Sequence, residues 1–170
     1  MLAATPPRSR RTKKRLPAAA LAALACLLLA ACAGGPVRRV SEPAASIQQL
    51  TVHADGSWAV ALRIDNFSSI PMRFDAVDLA MTVDGVAAGA LRGNAGITIG
   101  PESADVAEFP LAPSAAARLR IADALASRRS IAYTLAGRID AVPEDGGMRS
   151  FDIDRESAMT PVPGLPGVLR

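Results

Sequence analysis

Apolar and polar residues alternate with period two along most of the chain beyond residue 46. Within residues 57–67, Trp58, Val60, Leu62 and Ile64 fall on one face, and Ala59, Ala61, Arg63 and Asp65 on the other. A half-buried strand reads this way, because successive side chains point to opposite faces of a sheet. Asp55-Gly56 predicts a hairpin turn from a first strand over residues 47–52. Val77, Leu79, Met81 and Val83 alternate against Asp78, Ala80 and Thr82, and Asp84-Gly85 predicts the next hairpin turn, into a short strand over 86–91. Residues 97–99 end at the turn signal Gly100-Pro101, and 103–111 read as another strand. Residues 121–127 fit one or two helical turns. Residues 130–141 return to strand, with Ile131, Tyr133, Leu135 and Gly137 on one side, and the polar loop 144–147 leads into 149–154. These short strands predict an all-β fold, an antiparallel β-sandwich with one short helix, over residues 46–158. The Pro- and Gly-rich end, residues 159–170, predicts an extended, mobile tail.

The amino-terminal pattern is different. Arg8, Arg10, Arg11, Lys13, Lys14 and Arg15 precede an alanine- and leucine-rich run over residues 16–31. A positive block, a short apolar run and small residues at its end describe a secretory signal, and the run falls short of the ~20 residues a membrane-crossing helix needs. Leu29-Ala30-Ala31-Cys32 resembles the bacterial lipobox, cut between Ala31 and Cys32 by lipoprotein signal peptidase. The resemblance implies a diacylglyceryl unit on the Cys32 thiol and an acyl chain on its amino group. Two or more chains anchor firmly where one binds marginally. Ala33 follows, where aspartate commonly marks inner-membrane retention, so the periplasmic side of the outer membrane is the expected location. The expected division is a signal peptide over 1–31, a lipidated cysteine and flexible tether over 32–45, the sandwich, and the tail. Arg38 and Arg39 would lie near lipid headgroups.

The chain of 170 residues has room for one domain, and its formal charge of +3 misleads. Six of its 19 cations lie in the signal segment, which leaves 13 against 16 acids from residue 32 onward. The basicity belongs to targeting, and a nucleic-acid partner loses its support. Cys26 lies in the segment to be removed, so Cys32 is the one cysteine of the product and no disulfide is expected.

No catalytic set emerges. His53 is the one histidine, with no serine-nucleophile motif and no second histidine or free cysteine for zinc, so it reads as a turn residue. Asp152 and Asp154 place two carboxylates on one strand face, without the further ligands calcium needs. Asn66-Phe67-Ser68 matches a glycosylation sequon. Arg118, Arg120, Arg128 and Arg129 read as solvated charges around a short helix. Gly93-Asn94-Ala95-Gly96 lacks the lysine of a phosphate loop. No metal site and no non-covalent cofactor are expected.

Residues from about Leu50 to Asp154 resemble the late embryogenesis abundant type 2 domain, also called the water-stress and hypersensitive-response domain. The strand Val60-Ala61-Leu62-Arg63-Ile64 closes in Asp65-Asn66-Phe67-Ser68-Ser69-Ile70-Pro71, where the family usually has Asn-Pro-Asn. Residues 79–89 carry the family's apolar strand, Asp84-Gly85 turn and Gly89. Tyr133-Thr134-Leu135-Ala136-Gly137 matches its Tyr-x-Leu-x-Gly strand, and Phe151 opens the last strand. The resemblance implies a sandwich like fibronectin type III, roles in stress protection, and no catalytic residues. Physical chemistry gives Asn66 and Gly85 structural duties: Asn66 tolerates a left-handed turn and bonds local backbone, and Gly85 serves at positive φ. The expected activity is that of a membrane-anchored, non-enzymatic envelope protein with envelope proteins as partners. An alternative is a carrier of a lipid or other apolar ligand held between the sheets, in space left by Ala59 or Ala61.

Overall fold

Trp58, Val60, Leu62 and Ile64 all turn inward and none is more than 1 % exposed, so the alternation of this segment is the alternation of a sheet packed on one face. The computed structural model describes residues 38–170; Ala31 and Cys32, with the predicted signal segment, lie outside the described residues. In chain order the elements are β1 (Ala44–Val52), β2 (Trp58–Asn66), β3 (Met72–Val83), β4 (Val86–Ile99), β5 (Ser103–Leu111), α1 (Ala115–Ser127), β6 (Ile131–Pro143), β7 (Arg149–Met159) and β8 (Val168–Leu169). Two four-stranded sheets face each other, in the orders β5-β2-β1-β8 and β4-β3-β6-β7. Every strand pair is antiparallel. The architecture is an all-β sandwich with one helix.

The core lies between the sheets and is filled by the chain's own side chains. Leu50, Leu62, Phe74, Leu79 and Leu135 are completely buried. Each such side chain contributes about 1.5–3 kcal/mol relative to leaving it in water. Ala59 and Ala61 sit on the outer face of β2, opposite in direction to Trp58 and Val60. Space for an apolar ligand between the sheets at Ala59 or Ala61 is therefore not found, because the inward positions belong to their large neighbours. Residues 38–170 form a compact unit that completes its own core.

A bulge in β1, between Ile47 and Gln49, interrupts the ladder to β2. Beside it, the Ile47 N–H donates to the Tyr133 hydroxyl of the opposite sheet at 3.1 Å. This buried bond ties the sheets together across 86 residues of sequence. Removing the hydroxyl strands a buried donor, which costs roughly 1–2 kcal/mol. Tyr133→Phe is expected to lower the unfolding free energy by that amount while leaving the fold intact, as urea denaturation with a circular-dichroism readout will measure.

Four segments differ from expectation. The stretch Gly93-Asn94-Ala95-Gly96, which separates two predicted strands, is part of one long β4 paired along β3, with a register shift between Phe74 and Ala76. As an edge strand β4 can carry polar and glycine residues on its open side without breaking its one ladder. The helix begins six residues earlier than its apolar spacing indicates. Ser114 caps it, its Oγ accepting from the Ala117 N–H at 3.1 Å, and Ala115 and Ala116 show no polar contrast for a periodicity to detect. Its buried face is Ala117, Ile121 and Ala124.

The terminal segment is docked. Val168 and Leu169 pair with Thr51 and Leu50, Pro161 bridges Leu169, and Leu169 is fully buried. Prolines withhold N–H groups, yet Val162 and Thr160 still donate to Val168 and Arg170 at 2.9 and 2.6 Å, which closes the segment into a hydrogen-bonded loop. At the other end, residues 38–43 of the predicted tether already belong to the folded unit. The Arg39 N–H donates to Ser69 Oγ at 2.8 Å, and the Ser41 N–H to the buried Ser68 Oγ at 3.0 Å.

Candidate functional site

The predicted family positions hold the sandwich together. Asn66 ends β2 and is 1 % exposed. Its Nδ2 donates to the carbonyls of Ile70, Ile99 and Gly100 at 3.0, 3.1 and 2.9 Å, and its Oδ1 accepts the Ser68 N–H at 2.9 Å. One side chain thus joins the β2–β3 loop to the β4–β5 turn. Its backbone is not in the left-handed region that its residue type tolerates; the amide's four bonds explain the choice. The same burial places the sequon's nitrogen out of reach of a glycan.

Asp84 and Gly85 form the two-residue β3–β4 turn with φ of 46° and 72°, the positive values such a turn requires. Asp84 also does electrostatic work. Arg129, just beyond α1, donates to Asp84 Oδ2 at 3.2 Å and to Asp123 Oδ2 at 2.9 Å, clamping the helix end onto the turn. These carboxylates, Asp123 first, hold the Arg129 guanidinium above its usual range. Gly137 lies in the middle of β6, and a Cβ there would stand 2.1 Å from the Asp78 carbonyl oxygen on β3.

The remaining candidates are dispersed. His53 is exposed in the β1–β2 loop, where Asp55 accepts from the Ser57 hydroxyl at 2.6 Å and from its N–H at 2.9 Å. Those bonds, the hydroxyl's first, hold the Asp55 carboxyl below its usual range. Asp152 pairs with Arg138 at 2.9 Å, whereas Asp154 is exposed beside it on β7. Among the described residues no group of three or more His, Cys, Asp and Glu could hold a metal ion. Arg118 and Arg120 are exposed on the helix, and Arg128 follows it at φ 52°. No helix among the described residues is long and apolar enough to cross a membrane.

Two concave sites stand out among the described residues. The smaller, about 300 Å³, lies at the loop end of β2 among Arg39, Arg63, Asp65, Asn66, Phe67, Glu102, Ser103 and Ala104. Its charges cancel locally, Arg63 on Asp65 at 2.7 Å and Arg39 on Glu102 at 3.9 Å. The larger is a groove of about 710 Å³ at the opposite end, between Leu125, Ala126 and Arg128 at the close of α1 and the looped residues 160–167. Sequence reasoning missed it, because a run with Pro161, Pro163, Pro166, Gly164 and Gly167 reads by composition as a tail. The available signal was apolar: Val162, Leu165 and Leu169 recur through that run.

Similar solved structures include a crystal structure of a protein from Archaeoglobus fulgidus, at 18 % identity, covering 73 % of this chain and 98 % of that one with a TM-score of 0.39. A solution structure of a protein from Arabidopsis thaliana is 11 % identical, with 76 % and 84 % coverage and a TM-score of 0.48. No curated protein sequence matches the chain. The family profile described as late embryogenesis abundant protein (LEA_2) matches residues 61–156, more than half of the chain, from mid-β2 into β7. With its Asn66 turn, Asp84-Gly85 hairpin and Tyr133–Gly137 strand now seen as parts of one sandwich, the chain belongs to the late embryogenesis abundant type 2 family.

Proposed function

We propose that the mature protein is a lipid-anchored, non-enzymatic sandwich of the cell envelope that protects envelope components during water stress. The observation that carries the anchor is Leu29-Ala30-Ala31-Cys32, set behind a basic block and a short apolar run. Acyl chains on Cys32 hold the protein at the periplasmic face of the outer membrane. Five residues lie between Cys32 and Arg38, and an extended chain spans at most about 3.6 Å per residue, so the tether reaches no further than roughly 20 Å. At that distance neighbouring envelope proteins and the lipid surface are its natural partners.

Two observations support a protective rather than a catalytic role. Membership of the late embryogenesis abundant type 2 family accords with a stress-associated duty. The buried polar groups Asn66, Ser68 and Tyr133 are all engaged in fastening loops and sheets, which leaves them no reactive function.

Radiolabelled palmitate tests the anchor. The wild-type chain is expected to take up label and to fractionate with membranes, and Cys32→Ser to accumulate as an unlabelled precursor. Label entering the variant would refute the assignment. The protective role is tested by drying and osmotic shock of a strain that lacks the protein; survival equal to its parent's would count against it.

A further inference from the structure

The groove between α1 and residues 160–167 has a lining of uniform character with one exception. Arg128 is charged, and every other lining residue is uncharged, chiefly leucine, valine, alanine, proline and glycine. Its volume of about 710 Å³ lies within the roughly 300–1,000 Å³ typical of small-molecule sites. Leu165, on the outer wall, keeps 48 % of its surface exposed, an apolar area that nothing in the described residues covers.

Arg128 and its neighbour Arg129 have different duties. Arg129 is taken up by Asp84 and Asp123, whereas Arg128 has no acidic partner among the described residues. Arg128 also occupies the left-handed position that closes the helix, where glycine is the usual residue. An arginine thus stands at a position that backbone energetics would give to glycine, and its side chain lines an apolar groove.

We propose that this groove binds a free fatty acid, with its chain along Leu125, Val162 and Leu165 and its carboxylate on Arg128. The charge selects the head. A carboxylate carries one negative charge and forms paired hydrogen bonds with a guanidinium. A phosphate monoester, with about −1.5 to −2 charges, would leave an excess unmatched by a single arginine. A neutral acylglycerol would leave Arg128 without a counter-ion. The ligand is a free acid, chemically distinct from an acyl group linked to Cys32, and the proposal does not rest on the anchor reading.

The test uses residues 38–170, which complete their own core and contain neither Cys32 nor any attached lipid. Oleate below its micellar concentration is titrated against this protein, with native mass spectrometry for stoichiometry and calorimetry for affinity. One oleate per chain is expected. Arg128→Gly is expected to weaken oleate binding about tenfold or more, the loss of one charge-assisted pair. The same change should leave the melting temperature unchanged or raise it, because glycine relieves the left-handed backbone. Leu165→Asp, on the exposed wall, should weaken oleate as well. Absence of binding, or binding that neither substitution alters, would overturn the proposal. Tighter binding of lysophosphatidic acid or of monoolein than of oleate would overturn the choice of a carboxylate head.

Discussion

Gly137→Ala is expected to unfold the domain or to remove on the order of 4 kcal/mol or more of its stability. Gly137 pairs with Leu79 on β3 and with Ile153 on β7, so its backbone is held from both sides. Its φ of 152° lies where side chains are rarely accommodated, and the added Cβ would meet the Asp78 carbonyl oxygen at 2.1 Å and Leu79 Cα at 3.1 Å. Those are backbone atoms of a central strand and cannot rotate aside. Relief requires moving β3 against β6, and with it the centre of the core. Gly85→Ala supplies the contrast. Gly85 has a φ of 72° but nothing within 4 Å of the added carbon, so only backbone strain remains, roughly 1–2 kcal/mol. Urea unfolding of the two variants separates the causes. Equal, small shifts in midpoint would mean that β3 and β6 do not approach as closely as described.

Asn66→Asp is expected to produce the second-largest loss, and one that depends on pH. The amide shares its N–H groups among three carbonyls in a site that is 1 % exposed. A carboxylate there offers no donor and turns negative charge toward three carbonyl oxygens. Burial and those dipoles both favour its neutral form, so the folded-state pKa rises above the ordinary value of about 3.9. Below about pH 4 the introduced carboxyl is protonated in both the folded and unfolded states and can still donate one bond. As pH rises from there through the folded-state pKa, the unfolded state releases its proton more readily, and the stability of the variant falls. Near neutrality the loss relative to wild type should be on the order of 3–5 kcal/mol, that of an uncompensated buried charge, and it should shrink toward about pH 4. A loss that stays constant between those conditions would show that residue 66 is not enclosed as described.

Much of the sandwich was legible because its strands are packed on one face and open on the other. Trp58–Ile64 and Val77–Val83 show this most plainly: each inward residue is large and apolar, each outward one small or charged. The turn at Asp84-Gly85 was legible for a different reason, since few residue pairs accept two positive φ values in succession. Elsewhere the cause of structure was not local. β4 runs through Gly93 and Asn94 because β3 supplies its ladder, and no periodicity within 93–96 records that partner. The last residues fold back because Leu169 finds Leu50, more than a hundred positions away in sequence. The same long-range pairing builds a wall of the groove, so the groove was hidden with it. Asn66 was recognised as structural, but its reach to Ile99 and Gly100 depends on a neighbouring turn that sequence alone does not bring near. The reading of Cys32 rests on local pattern alone, a basic block, an apolar run and small residues in order, and it lies outside the described residues.

The proposed anchor is tested most directly by the intact mass of the protein purified in detergent from its native cells. The expected polypeptide begins at Cys32 and carries the added mass of a diacylglyceryl group, with or without a further acyl chain on its amino group. A chain that begins at Met1, or one that starts elsewhere and retains an unmodified Cys32 thiol, would contradict it.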